Sequence, residues 1–202
     1  MKTMKKKLFC LIQFHDYVNN SVQSIDSKVK ALKNYSFEDS TIDEITEKYY
    51  NEFLLDVPVL NINGTTMDKT EDCKVANDDP TANGGADTID GIRFTLYIPF
   101  RGDSNLFSVT PIKFKNDYPF GEVKKGEIKI VYEVPITRNL KQTKIELKNN
   151  TDLIGAYLGY LIIHTKPYNA NLKTIIKAKL EKRKNNIDKN DDTLKSFGFP
   201  LK

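Results

Sequence analysis

Glu127-Ile128-Lys129, with Asp117 ten positions before Glu127, is the triplet in this sequence that comes closest to a reaction. On a strand, Glu127 and Lys129 project from the same face. An acid, a Glu-x-Lys pair and a magnesium ion are the parts with which metal-dependent nucleases activate water. The triplet recurs as Glu122-Val123-Lys124 and Glu146-Leu147-Lys148, however, and a chain with 31 lysines and arginines produces it easily. Solvated strand residues are the competing reading.

Other chemistries find less material. His15 and His164 stand in different predicted helices and have no ligand at His-Glu-x-x-His spacing. Gly64-Thr65-Thr66-Met67-Asp68-Lys69-Thr70 lacks the second glycine of a phosphate-binding loop, and Gly84-Gly85 lacks a third glycine and a strand-to-helix context. The acids between Asp78 and Gly91 do not follow the calcium-loop pattern, so that segment reads as an exposed loop. Cys10 and Cys73 read as free thiols. No cofactor and no metal is expected.

Two surface signals remain. Lys173, Lys177, Lys179, Lys182, Arg183 and Lys184, set against Glu181 alone, form a basic stripe that could meet phosphate or an acidic partner, or be the solvated face of a helix. Arg101-Gly102-Asp103-Ser104 spells an adhesion tripeptide but stands directly after a strand pattern, where glycine and two short polar residues make a turn.

The elements that must position these groups begin with Leu11, Phe14, Val18, Val22, Ile25, Val29 and Leu32, at steps of three and four, which predict an amphipathic helix. Thr41 and Glu44 match a capping box that opens a second helix through Phe53. Short strands follow around Val57–Leu60 and Cys73–Val75. Ile92, Phe94, Leu96 and Ile98 alternate with polar or amphipathic residues up to Pro99, and Glu127 to Val134 alternates up to Pro135. Leu140, Leu147, Ile154 and Leu161 recur every seven residues, weakened by Asn149-Asn150-Thr151, Gly155 and Gly159, with Lys144–Leu147 readable as an edge strand. Pro167 and Asn169 then predict an interruption before a final basic helix through Leu172, Ile176, Leu180 and Ile187.

The expectation is one α+β domain over 1–202: N-terminal amphipathic helices (1–55), a central, mostly antiparallel β-sheet (56–136), and a C-terminal helical pair (137–202). A net charge of +4 is modest, and no segment approaches the roughly 18–20 apolar residues of a membrane span. A cytoplasmic protein with no membrane partner is expected, which leaves the Asn-x-Ser/Thr triplets at Asn19, Asn63 and Asn149 as chance matches.

Four stretches together resemble a loosely defined family of largely uncharacterised bacterial proteins: Ile98-Pro99-Phe100-Arg101-Gly102-Asp103-Ser104-Asn105-Leu106-Phe107, Pro119-Phe120-Gly121-Glu122-Val123, Tyr168-Asn169-Ala170-Asn171-Leu172, and Leu194 to Lys202. In that family the shared segment often precedes an effector region such as a TIR domain, in proteins of suspected antiviral defence. The resemblance implies a sensing, regulatory or oligomerisation module with a protein partner or effector, and homo-oligomers are compatible with it. It transfers no active-site residue. The rival readings are the nuclease built on Asp117, Glu127 and Lys129, and a nucleic-acid-binding domain using the basic stripe.

Overall fold

The computed structural model describes residues 6–77, 87–112 and 117–196. In chain order the elements are β1 (Ile12–Gln13), α1 (Phe14–Ala31), α2 (Asn34–Glu38), α3 (Ile42–Phe53), β2 (Val59–Leu60), β3 (Thr66–Met67), β4 (Glu71–Ala76), β5 (Thr88–Arg101), β6 (Val109–Thr110), β7 (Glu122–Lys124), β8 (Glu127–Pro135) and α4 (Leu140–Ser196). Single 3₁₀ turns occupy Ile62–Gly64 and Ser104–Ser108. The architecture is α+β, and the chain divides into two compact units.

The first unit, Met1–Phe14 with Asp56–Ile163, is built on β5. This 14-residue strand pairs antiparallel with β8 from Gly91↔Pro135 to Pro99↔Glu127. Its other side takes β4, β3 and β2 in line, each antiparallel and each short. Alternation puts Ile128, Ile130, Tyr132 and Val134 of β8 on the buried face. The first part of α4 contributes Ile154, Tyr157, Leu158 and Leu161 to the same core. Phe9 stacks on Tyr157 at 4.8 Å and tilts against Phe107 at 5.6 Å.

Pro99 does not end β5. Its carbonyl accepts from Asn61 N–H at 2.8 Å. In a strand the N–H and C=O of one residue point the same way, so the donor that proline lacks would face the 3₁₀ turn between β2 and β3, where the ladder is already broken. Pro135 does close β8. The Asp78–Gly91 loop lies outside the described residues up to position 86, and its last residues belong to β5, which starts at Thr88. Arg101-Gly102-Asp103 is a turn: Gly102 has φ +109°, and Asp103 Oδ1 accepts from Asn105 N–H at 2.9 Å.

The second unit, His15–Leu55 with His164–Lys202, packs α1 and α3 on the later part of α4 through Ile25, Val29, Ile45, Leu172, Ile176 and Leu180. The stripe on α1 starts at Phe14; Leu11 lies before the helix and is 80% exposed. Thr41 caps α3 as its sequence predicts, its hydroxyl accepting from Glu44 N–H while Glu44 accepts from Thr41 N–H at 2.8 Å. The bond from the Thr41 N–H, and a second that the Thr41 hydroxyl donates to the same carboxylate at 2.9 Å, hold the Glu44 carboxyl below its usual range.

Where the sequence predicts a helical pair broken near Pro167, α4 is one helix of 57 residues, and Lys144–Leu147 is helical within it. An internal proline forfeits one hydrogen bond and crowds the preceding turn, at a cost of about 3 kcal/mol. Around it Thr165, Tyr168 and Leu172 are buried. Tyr168 donates to Phe53 O at 3.3 Å, and Asn169 accepts from Leu55 N–H at 3.1 Å and donates to Leu55 O at 3.0 Å. This packing offsets the proline. The closing Phe197–Leu201 stretch lies outside the described residues.

Candidate functional site

The nuclease residues fall as follows. Glu127 and Lys129 share the face of β8 opposite Ile128 and Ile130, and Lys129 Nζ lies 6.0 Å from the centre of the Tyr97 ring. On β7, Glu122 sits opposite Lys129 and pairs with Lys124 at 2.9 Å; that hydrogen bond holds its carboxyl below the usual range. Asp117 is exposed, and its backbone carbonyl accepts from Tyr157. Among the described residues no three His, Cys, Asp or Glu side chains converge as a metal site needs. Both cysteines are free.

The basic stripe is largely engaged within its own unit. Lys173 pairs with Glu47 and covers the Tyr50 ring at 4.6 Å, Lys177 pairs with Asp43 at 2.7 Å, and Lys179 pairs with Asp26 at 2.5 Å. The hydrogen bond that Lys177 donates to Asp43 raises the Lys177 pKa. Arg183 donates to Leu32 O through Nε and a terminal nitrogen, at 3.1 and 2.8 Å, which terminates α1. Lys182 and Lys184 are exposed. Four of the six residues therefore meet acids or carbonyls of α1 and α3, partners 126 to 153 positions away in sequence. A stripe neutralised in this way offers phosphate far less than its sequence suggests.

A shallow concavity of about 450 Å³ is lined by Lys74, Thr88, Ile89, Asp90, Ile136 and Thr137. Among the described residues its charged lining is the exposed Lys74–Asp90 pair at 2.6 Å.

Among the described residues, the outward face of α4 in the first unit is a feature without an internal explanation. Stepping by four and three, Lys141, Ile145, Lys148, Asp152, Gly155, Gly159 and Ile163 form one stripe opposite the buried Ile154, Tyr157 and Leu161. Ile145 is 51% and Ile163 60% exposed. A Cβ added at Gly155 or Gly159 would meet nothing within 4 Å. Two glycines inside a helix destabilise it by about 1 kcal/mol each relative to alanine, and among the described residues nothing uses the space they leave. Gly155→Ala and Gly159→Ala should therefore each raise stability by roughly 0.5–1 kcal/mol in urea unfolding. Unchanged or lower stability would mean that the positions are strained or filled.

Sequence reasoning treats those glycines as weak points of the helix. The signal that finds them is their spacing of four, combined with Ile145 and Ile163 lying off the seven-residue apolar series.

No protein-family model, curated protein or solved structure matches this chain. Among the described residues no helix is long and apolar enough to cross a membrane.

Proposed function

We propose that this chain is a non-catalytic sensing, regulatory or association module of a bacterial anti-phage defence protein, acting by docking a partner and changing the association of an effector. The observation that carries this reading is the exposed α4 stripe, in which isoleucines flank glycines that cost the fold stability and serve no contact among the described residues. The internal engagement of Lys173, Lys177, Lys179 and Arg183 moves the preferred contact surface away from the basic stripe. The defence context rests on the family resemblance alone.

Cells carrying the natural locus should lose plaque protection when this chain is deleted and keep it with Glu127→Ala or Lys129→Ala. Magnesium-dependent DNA cleavage by the purified chain, abolished by Glu127→Ala, would overturn the reading in favour of the nuclease.

A further inference from the structure

Asn63-Gly64 sets a side-chain amide beside a backbone nitrogen whose own residue carries no side chain. Such a nitrogen can bond to the asparagine Cγ and close a five-membered ring, because glycine turns freely into the required geometry and no Cβ obstructs the approach. Asn63 is exposed, as are its neighbours Asn61 and Ile62. The pair occupies the 3₁₀ turn Ile62–Gly64 between β2 and β3.

The turn itself opposes ring closure. A 3₁₀ backbone holds ψ at roughly −20 to −30°, away from the rotation that brings the following nitrogen onto Cγ. Gly64 N–H is also held twice, donating to Asn61 O and to Asn61 Oδ1, each at 3.1 Å. The Asn61 side chain lies so close that a Cβ at Gly64 would meet its Nδ2 at 2.5 Å. An amide nitrogen must give up its proton to attack, and two oxygens aimed at it disfavour the anion. Yet this is a single exposed turn, joined to strands that pair with β5 through two residues each, and such a segment opens far more often than a core.

We propose that Asn63 is a self-modification site, converting to aspartate and isoaspartate when the turn opens, and that Asn61 is the positioning residue that sets how often it opens. Gly64 nitrogen loses its proton to a solvent base and bonds to Asn63 Cγ. The Cγ–Nδ2 bond breaks, and ammonia leaves with a proton from solvent. Water then opens the cyclic imide at either carbonyl, so the balance needs water alone and nothing is oxidised or reduced. One opening yields aspartate. The other routes the main chain through the former side chain, adding a methylene between β2 and β3. Either product adds one negative charge, and the longer backbone loosens the two short ladders on this side of β5.

The test incubates the full chain in mildly alkaline buffer beside a synthetic peptide of residues 58–68. Mass spectrometry follows amide-to-acid conversion, fragmentation places the new acid at position 63, and enzymatic methylation counts isoaspartate. The folded chain should convert roughly tenfold or more slowly than the peptide. Asn61→Ala should speed it by roughly fivefold, the loss of one hydrogen bond expressed as a rate. Asn61→Asp keeps an acceptor for Gly64 N–H and should convert no faster than the parent. Circular dichroism will report that both variants stay folded. Equal rates in chain and peptide would overturn the proposal, as would a parent and Asn61→Ala that both stay unconverted while the peptide is consumed. Asn61→Asp converting as fast as Asn61→Ala would also overturn it, by removing the acceptor bond as the cause.

Discussion

Asn150→Ala should lower the stability of the first unit by about 2–4 kcal/mol, the loss expected when two hydrogen bonds between a buried amide and part-buried backbone groups disappear together. Asn150 is 6% exposed and binds one loop residue from both ends of its amide. Its Nδ2 donates to Phe120 O at 2.9 Å, and its Oδ1 accepts from Phe120 N–H at 2.9 Å. Truncation leaves the Phe120 N–H and carbonyl without that amide in a place where water replaces it poorly. Asn150→Asp separates the two halves of the interaction: the acceptor survives, but a carboxylate then faces the Phe120 carbonyl, so the loss should be greatest at neutral pH and shrink as the acid protonates. Urea unfolding with an unchanged m-value would measure both variants. A loss below about 0.5 kcal/mol for Asn150→Ala would show that the loop holds its place without the clamp. Asn169 makes the same two-ended contact with Leu55 in the second unit, and is half-buried rather than buried.

The second large effect is an alkaline limit to stability. Tyr157 is fully buried, stacks on Phe9 at 4.8 Å and donates to Asp117 O at 2.9 Å. Burial, then the neighbouring Tyr118, Asp117 and Cys10, pushes its pKa from 10.0 up to about 12. A phenol whose pKa is higher in the folded than in the unfolded state stabilises fully below the unfolded value. That stability is lost as pH rises toward the folded value, because only the unfolded chain gives up the proton. Two pH units correspond to about 2–3 kcal/mol, so the urea midpoint should fall between about pH 10 and pH 12. Tyr132, buried beside Phe94 at 5.5 Å, is raised further by burial and by Glu146, and acts in the same direction. Tyr157→Phe should lose about 1 kcal/mol at neutral pH with its hydrogen bond, and should flatten the alkaline decline. A decline as steep in Tyr157→Phe as in the parent would assign the effect to other groups.

What the sequence makes legible is local. The Thr41 and Glu44 cap, the stripe of α1 from Phe14, and the alternation of β5 and β8 each depend on residues a few positions apart, and each stands in the structure. What stays hidden depends on partners far along the chain. Asn150 reads as a helix weakener until Phe120 arrives beside it, 30 positions away. Pro167 reads as a helix end until Phe53 and Leu55 hold the residues after it. Lys177 reads as solvated until Asp43 meets it from 134 positions away. The candidate site follows the same logic in reverse: Gly155 and Gly159 become informative only when nothing is found against them.

The side of β5 away from β8 has a further consequence. There β2 and β3 contribute two residues each and β4 six, with the 3₁₀ turn and Pro99 between the first two. A long, flat, unbroken strand margin recruits identical strands from other molecules and seeds fibrils. Margins this short, with Glu71, Asp72 and Lys74 along the longest of them, give such growth little to copy, so the protein should withstand crowding at high concentration on this side of its sheet.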